Sequence, residues 1–132
     1  MSANDNDDTP TPVGQLCLQV IAMPRDTNAS GDIFGGWLVY QMDLAGSIAA
    51  QEIARGRVAT VAMNGMAFYT PVHVGALVGL YTEVLEVGRS SIRVGVEVWI
   101  TRKNSDEQLK VTEGEFVFVA IDERGRTRPI RG

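Results

Sequence analysis

The feature that most constrains the fold is a single stretch with helical periodicity, in a chain whose other segments alternate as strands do. Residues 37–55 contain no proline, and their apolar side chains recur at i, i+4, i+7 and i+11 on one helix face. These side chains are Leu38, Met42, Ala45 and Ala49. Gly56 follows Arg55 as a glycine often follows a helix. The sequence therefore predicts one helix over residues 37–55.

Five other segments have the pattern of strands. In the clearest one, apolar side chains from Ile92 to Ile100 alternate with a mixed set that includes Arg93 and Glu97, which predicts one buried face. The predicted strands cover residues 13–23, 58–70, 77–87, 91–102 and 108–121, with turn signals between them. Together they predict an α+β domain in which one long helix covers a five-stranded antiparallel sheet. The open edges of such a sheet favour pairing with a second copy.

Length and charge limit the possible functions. A chain of 132 residues with 45% hydrophobic residues is predicted to form one domain, at residues 13–123. Residues 1–12 are acidic and contain two prolines, so we expect disorder there, and residues 124–132 are predicted to be a basic tail. The net charge of −4 and pI near 4.9 argue against nucleic-acid and anionic-membrane partners. No segment has the pattern of a signal peptide or a membrane span, so we expect a cytoplasmic protein.

The single cysteine and the single histidine carry little chemistry by themselves. Cys17 excludes an intrachain disulfide and a cysteine-based zinc site. It lies between Leu16 and Leu18 in a strand-like segment, which predicts a small core side chain. His73 lies in the turn-forming segment 71–75, so we expect an exposed turn histidine.

The start of the helix combines two features that favour chemistry. Gly35 and Gly36 have no side chains to cover the first backbone N–H groups, and such groups attract an oxyanion or a phosphate. Asp43 follows about two helical turns later, beside Met42 and Leu44. An ionised carboxylate in that position needs polar partners. Asp43 is therefore a candidate functional group.

The chain contains many short motifs in a fixed order and spacing: Met23-Pro24, Thr27-Asn28, Gly31-Asp-Ile-Phe-Gly-Gly-Trp37, Met42-Asp43, Thr60-Val61, Met66-Ala-Phe68, Pro71-Val72, Gly88-Arg-Ser-Ser91 and Val96-Glu-Val-Trp99. In this order and spacing they resemble the motifs of bacterial acyl-CoA thioester hydrolases of the hot-dog superfamily, in particular the YciA-like branch. The resemblance covers about residues 16–122. It implies an antiparallel sheet wrapped around the long helix, homodimers with one continuous sheet, assembly into trimers of dimers, and active sites at the dimer interface.

The resemblance also implies the catalytic residues of a thioesterase. The acid on the helix matches Asp43, the asparagine before the glycine pair matches Asn28, and the threonine after the helix matches Thr60. Asp43 can act as a general base on water or attack the thioester carbonyl as a nucleophile, and both routes stay open. The N–H of Gly36 or a neighbour is a candidate oxyanion donor. Asn28 is expected to orient the water or the carbonyl, and Thr60 to hydrogen-bond the carboxylate or the water.

The last sequence predictions concern the substrate contacts and two alternative functions. Acyl-CoA carries phosphates, so Arg57 and Arg89 are candidate phosphate ligands, with Gly35, Ser90 and Ser91 as further substrate contacts. The predicted reaction in fatty-acid metabolism yields CoA and a free acid, and it needs neither a metal nor a redox cofactor. A hydratase would require a histidine on or near the helix. An acyl-CoA sensor on the same fold would bind without turnover.

Overall fold

A computed structural model describes residues 10–101 and 106–130 of the chain. Within these ranges lie one long helix, one short 3₁₀ turn at Pro24–Asp26 and five strands. None of the helices described there is long and apolar enough to cross a membrane. The predicted α+β architecture is confirmed. The elements are β1 (Gln15–Ile21), α1 (Gly35–Ala54), β2 (Val58–Phe68), β3 (Leu77–Val87), β4 (Ser91–Thr101) and β5 (Gln108–Ala120).

The five strands form one antiparallel sheet in the order β1-β3-β4-β5-β2. The two edge strands, β1 and β2, are the ones that flank the helix in sequence. Helix α1 therefore connects one edge of the sheet to the other and covers the face between them. This topology places the first residues of β2 directly after the helix, at an edge that pairs only with β5 among the described residues.

The core lies between α1 and the sheet. The predicted helix face, which includes Leu38 and Met42, is buried against the alternate residues of β4. Gly46 lets the helix approach β5 closely, because a Cβ atom there would lie 3.0 Å from the ring of Phe118. Burial of each large apolar side chain contributes about 1.5–3 kcal/mol. The buried β4 residues are Ile92, Val94, Val96 and Val98.

The end of the helix differs from the sequence prediction. Gly56 was expected to adopt the helix-terminating conformation, but Arg55 does so, with φ of 56° and ψ of 45°. Gly56 serves a different purpose, because a Cβ atom there would lie 2.8 Å from Nη2 of Arg128. That guanidinium donates from Nη2 to the carbonyl oxygen of Ala54 at 2.8 Å. Glycine is therefore required for close approach of an arginine that closes the helix end.

The segment that the sequence suggests as a basic tail makes defined contacts in its described part. The carboxylate of Asp122 accepts hydrogen bonds from the N–H groups of Arg124 and Arg126, both at 2.9 Å. The chain then returns along β5, where the N–H of Arg128 donates to Ala120 at 2.9 Å. Ile130 packs against the core. Residues 124–130 are thus joined to the sheet; residues 131–132 and most of the predicted N-terminal disordered segment, 1–9, lie outside the described residues.

Candidate active site

A carboxylate and a hydroxyl meet where the helix faces the first residues of β2. Thr60 donates from its hydroxyl to Oδ1 of Asp43 at 2.7 Å. Asp43 is half-buried on the helix, and Thr60 is exposed on the edge strand. Thr60 is therefore the polar partner that a carboxylate at this position needs. Two of the three side chains implied by the resemblance are in direct contact.

The N-terminus of the helix has uncovered backbone donors. The N-cap residue is Phe34, whose side chain forms no capping hydrogen bond, and the first helical turn contains no acidic residue. Among the described residues, no acceptor is recorded for the N–H groups of Gly35 and Gly36. A Cβ atom at Gly36 would meet nothing within 4 Å, whereas one at Gly35 would lie 3.6 Å from the ring of Phe68. These donors can receive the oxygen of a polarised carbonyl.

The side chain of Asn28 has its orientation fixed by the loop that precedes the helix. Its Oδ1 atom accepts hydrogen bonds from the N–H of Ser30 at 2.9 Å and of Asp32 at 3.1 Å. Only the amide oxygen can accept from these donors, so the Nδ2 group is the part left to bind a ligand. The Oδ1 atom of Asn28 thus caps the turn, and the Nδ2 group remains as a hydrogen-bond donor.

The predicted catalytic residues form two groups within one chain. Asp43 and Thr60 make one group, and the N–H of Gly36 belongs to the other, at the start of the helix. Seven residues separate Gly36 from Asp43, which is about 10 Å along a helix axis. A thioester carbonyl is much smaller than this separation. The two groups therefore lie about two helical turns apart on the same helix.

The predicted phosphate ligands lie at the opposite end of the helix. Arg57 donates from Nη1 to the carbonyl oxygens of Asp122 and Glu123, at 3.3 and 3.2 Å. Arg89 is exposed in the β3–β4 turn, and its carbonyl accepts from the N–H of Ile130 at 2.7 Å. Arg57 lies directly before β2 and precedes Thr60 by three residues, a separation of about 10 Å in an extended chain. Both arginines thus lie at one end of the sheet.

Ser90 and Ser91 shape the turn that carries Arg89. The carbonyl of Ser90 accepts from the N–H of Ala120 at 2.9 Å, and the carbonyl of Ser91 accepts from Gly88 at 2.8 Å. The hydroxyl of Ser91 lies beside Gly88, where a Cβ atom would be only 2.6 Å away. The recorded contacts of these serines are therefore structural. Their role in substrate binding stays a prediction.

Among the described residues, neither Cys17 nor His73 has a recorded contact with the carboxylate of Asp43. Cys17 is half-buried and directs its thiol at the carbonyl of Ala45, at 3.5 Å. Burial raises the pKa of the Cys17 thiol, which disfavours a nucleophilic thiolate. His73 is exposed, as predicted, but it contacts Asp32 through Nδ1 at 3.1 Å. Sequence reasoning did not predict this contact, because the two residues come from separate loops.

Metal binding has no support in the side-chain geometry. Within residues 10–101 and 106–130, no three histidine, cysteine, aspartate or glutamate side chains come close enough together to hold an ion. Independence from cofactors stays a prediction.

Comparisons with known proteins bear on this geometry. The family model of the thioesterase superfamily matches residues 30–105. The acyl-CoA thioester hydrolase YciA of Salmonella typhimurium is 47% identical over 133 residues, covering 98% of this chain and 97% of the relative. HI0827, a hexameric broad-specificity acyl-coenzyme A thioesterase, superposes with a TM-score of 0.88 at 50% identity, covering 93% of this chain and 85% of that one. Cj0915, a hexameric hotdog fold thioesterase of Campylobacter jejuni, gives 0.85 at 40% identity, covering 89% and 91%.

These similarities define the class first. An antiparallel sheet of five strands with one long helix across it is the hot-dog fold of these neighbours. The chain belongs to the thioesterase superfamily, and within it to the YciA-like acyl-CoA thioester hydrolases. The resemblance and the fold predicted from sequence are confirmed.

Proposed function

We propose that this protein hydrolyses the thioester of acyl-CoA to a free carboxylic acid and CoA, with Asp43 as the reacting carboxylate. The observation that carries the proposal is the 2.7 Å hydrogen bond from Thr60 to Asp43. Because Thr60 occupies Oδ1, it fixes the carboxylate and leaves Oδ2, for which no partner is recorded among the described residues. This second oxygen is available to the reaction.

Two routes fit this carboxylate. As a general base, Asp43 takes a proton from water while the water oxygen attacks the carbonyl carbon, and the thiolate of CoA then leaves. As a nucleophile, Asp43 attacks that carbon itself, releases the thiolate and forms a mixed anhydride that water hydrolyses. Single turnover in ¹⁸O-labelled water tests the second route, because attack of water on the aspartyl carbon of the anhydride places the label in Asp43, which the general-base route cannot do.

The developing oxyanion requires donors that Asp43 cannot provide. The uncovered N–H of Gly36 and the Nδ2 group of Asn28 are donors of the required type, and both lie before or at the start of the helix. Preorganised donors of this kind are worth about 10²–10³ in kcat for each one removed. We assign the oxyanion site to these two groups.

The distance between the two groups favours a site shared by two subunits. Asp43 of one subunit then works with Asn28 and Gly36 of its partner. Beside Asp43 the helix exposes an apolar stripe at i, i+4 and i+8: Tyr40 (64% exposed), Leu44 (39%) and Ile48 (39%). The neighbouring edge strand β2 is eleven residues long and pairs only with β5 among the described residues. Such an edge and stripe favour a second copy, and the relatives HI0827 and Cj0915 are hexameric.

Arg57 and Arg89 are proposed to bind the phosphates of the CoA moiety. Both side chains are exposed, and they lie at the same end of the sheet. Each carries a cation that suits phosphate recognition. Their distance from Thr60 lets an extended CoA reach them from the reacting carbonyl.

The first test is CoA release from short, medium and long acyl-CoAs by the wild type and by Asp43→Asn. We expect turnover by the wild type and a loss of about 10²–10⁴-fold in kcat in the variant. Glu52→Gln is the matched control, because it neutralises an exposed carboxylate elsewhere on the same helix. Turnover that survives Asp43→Asn would refute the assignment. Saturable binding without turnover by the wild type would instead indicate an acyl-CoA sensor.

The shared site has its own test. Asn28→Ala and Asp43→Asn are each nearly inactive under the proposal, but a mixed dimer of the two contains one intact site. Mixing the variants under conditions of proven subunit exchange should therefore restore part of the activity. No recovery would show that both residues act from the same chain.

A further inference from the structure

The loop that carries Asn28 contacts the turn at residues 71–75 through its backbone and through one pair of side chains. Nδ1 of His73 lies 3.1 Å from Oδ1 of Asp32. The same two residues form an isolated antiparallel bridge, and the N–H of Ile33 donates to the carbonyl of Val72 at 2.9 Å. The loop is therefore joined to this turn through both backbone and side chain.

Together with the N–H of Ser30, the backbone of Asp32 also holds the Asn28 amide. Its carbonyl accepts from the N–H of Asn28 at 2.7 Å, and its own N–H donates to Oδ1 of Asn28 at 3.1 Å. These two hydrogen bonds fix the backbone and the side chain of Asn28 relative to Asp32. A displacement of the Asp32 backbone would consequently shift the Asn28 amide, because both hydrogen bonds use Asp32 backbone atoms.

The turn that carries His73 is a fixed support. The N–H of Gly75 donates to the carbonyl of Ala22 at 2.8 Å, and the N–H of Ala22 donates to Ala76 at 3.0 Å. Ala22 is fully buried, and Val72 is 2% exposed. His73 therefore projects from a part of the molecule that is anchored in the core.

We infer that Asp32 and His73 are positioning residues, whose contact holds the 28–32 loop so that the Asn28 amide is directed at the thioester. The inference rests on the proposed function, in which that amide binds the oxyanion. The side chains of His73 and Asp32 are 70% and 42% exposed, and exposed side-chain contacts of this kind add little to folding stability. Their contact matters for the direction of a reacting group, where displacements of about 1 Å cost up to 10²-fold in rate.

The test measures kcat, KM and Tm for His73→Ala, Asp32→Ala and the double variant. We expect each single variant to lose about tenfold in kcat, with KM and Tm nearly unchanged. The double variant should lose no more than either single variant, because both remove the same contact. His73→Asn should restore most of the rate, since its amide N–H can take the place of Nδ1.

The matched control is Glu86→Ala, which removes an exposed ion pair of the same length, 3.1 Å to Arg93, on the sheet. It should leave kcat unchanged. Wild-type rates in His73→Ala and Asp32→Ala would overturn the inference, as would a loss in kcat that follows a fall in Tm or that His73→Asn fails to reverse. Turnover that depends on Asp43 but not on these two residues would overturn this inference alone. Absence of wild-type turnover would overturn the proposed function with it.

Discussion

The two ends of helix α1 differ in whether their terminal backbone groups have hydrogen-bond partners. At the start, Gly35 and Gly36 have backbone N–H groups with no recorded acceptor within the described part of the chain, and Phe34 provides no cap. At the end, Arg128 donates to the last helical carbonyl, that of Ala54, at 2.8 Å. Its guanidinium also donates to the carbonyl of Ile121 at 3.2 Å. One end is open to a ligand, and the other is closed by the chain itself.

This contrast separates function from stability along a single element. An uncapped helix start typically costs about 0.5–2 kcal/mol relative to a capped one. The cation at the other end contributes in the opposite direction, because it satisfies a carbonyl and complements the helix dipole. Changes at the open end should therefore alter turnover, and changes at the closed end should alter the free energy of unfolding.

The largest expected effect is at the open end. Gly36→Val adds a branched side chain beside the free N–H groups, so we expect kcat to fall by about 10²-fold, the usual effect of losing one oxyanion donor. The free energy of unfolding should change little, because a Cβ atom at Gly36 meets nothing within 4 Å. Steady-state kinetics and urea unfolding measure the two quantities.

Two variants control for the chemistry of the substitution. Gly36→Ala adds one methyl group and should lose less activity than valine does. Gln51→Val places valine at an exposed position near the other end of the helix and should retain the wild-type rate. A folded Gly36→Val protein with full activity would remove the helix start from the oxyanion site.

The next effect is at the closed end. Arg128→Ala removes the guanidinium and leaves the carbonyl of Ala54 without its partner, so the free energy of unfolding should fall by about 1–3 kcal/mol. The kcat of the folded protein should not change. Arg124→Ala is the control for removal of a cation, since its side chain is exposed, and it should stay within about 0.5 kcal/mol of the wild type. Lost turnover in folded Arg128→Ala would mean that the two ends are not separate.

The smallest expected effect is that of a substitution at Gly56, beside the closed end. Gly56→Ala forces Nη2 of Arg128 to move, because the new Cβ atom would lie 2.8 Å from it. We expect a loss of about 1 kcal/mol, the value of one weakened hydrogen bond. The same change in an Arg128→Ala background should be neutral or slightly stabilising, since alanine restricts the unfolded chain. Equal losses in both backgrounds would show that Gly56 is required for another reason.

Most of the fold followed from local patterns. Strand β3 was predicted with its observed bounds, and β4 extends to Thr101 in the described part of a strand predicted to residue 102. The helix begins at Gly35, two residues before the prediction, because glycines carry no apolar periodicity. The helix end was assigned to the wrong residue, since the arginine that requires Gly56 lies 72 positions further along the chain. A contact between residues so far apart in the chain cannot be predicted from local sequence.

The candidate site followed less from pattern than from resemblance. The position of Asp43 on the helix was enough to make it a candidate functional residue, but the spacing of Thr60 alone does not predict the hydrogen bond between them. The contact between Asp32 and His73 depends on how two loops dock, which neither loop's sequence determines. The glycine pair indicates candidate backbone donors such as the N–H of Gly36, but whether these N–H groups lack acceptors depends on where the helix begins.

A site that takes Gly36 from one subunit and Asp43 from another would make turnover depend on protein concentration. Under the shared-site proposal, dilution below the subunit dissociation constant separates the two halves of every site. Specific activity would then fall on dilution, and initial rates would rise with more than the first power of protein concentration until association is complete. High acyl-CoA, which bridges both halves, would shift that threshold to lower protein concentration.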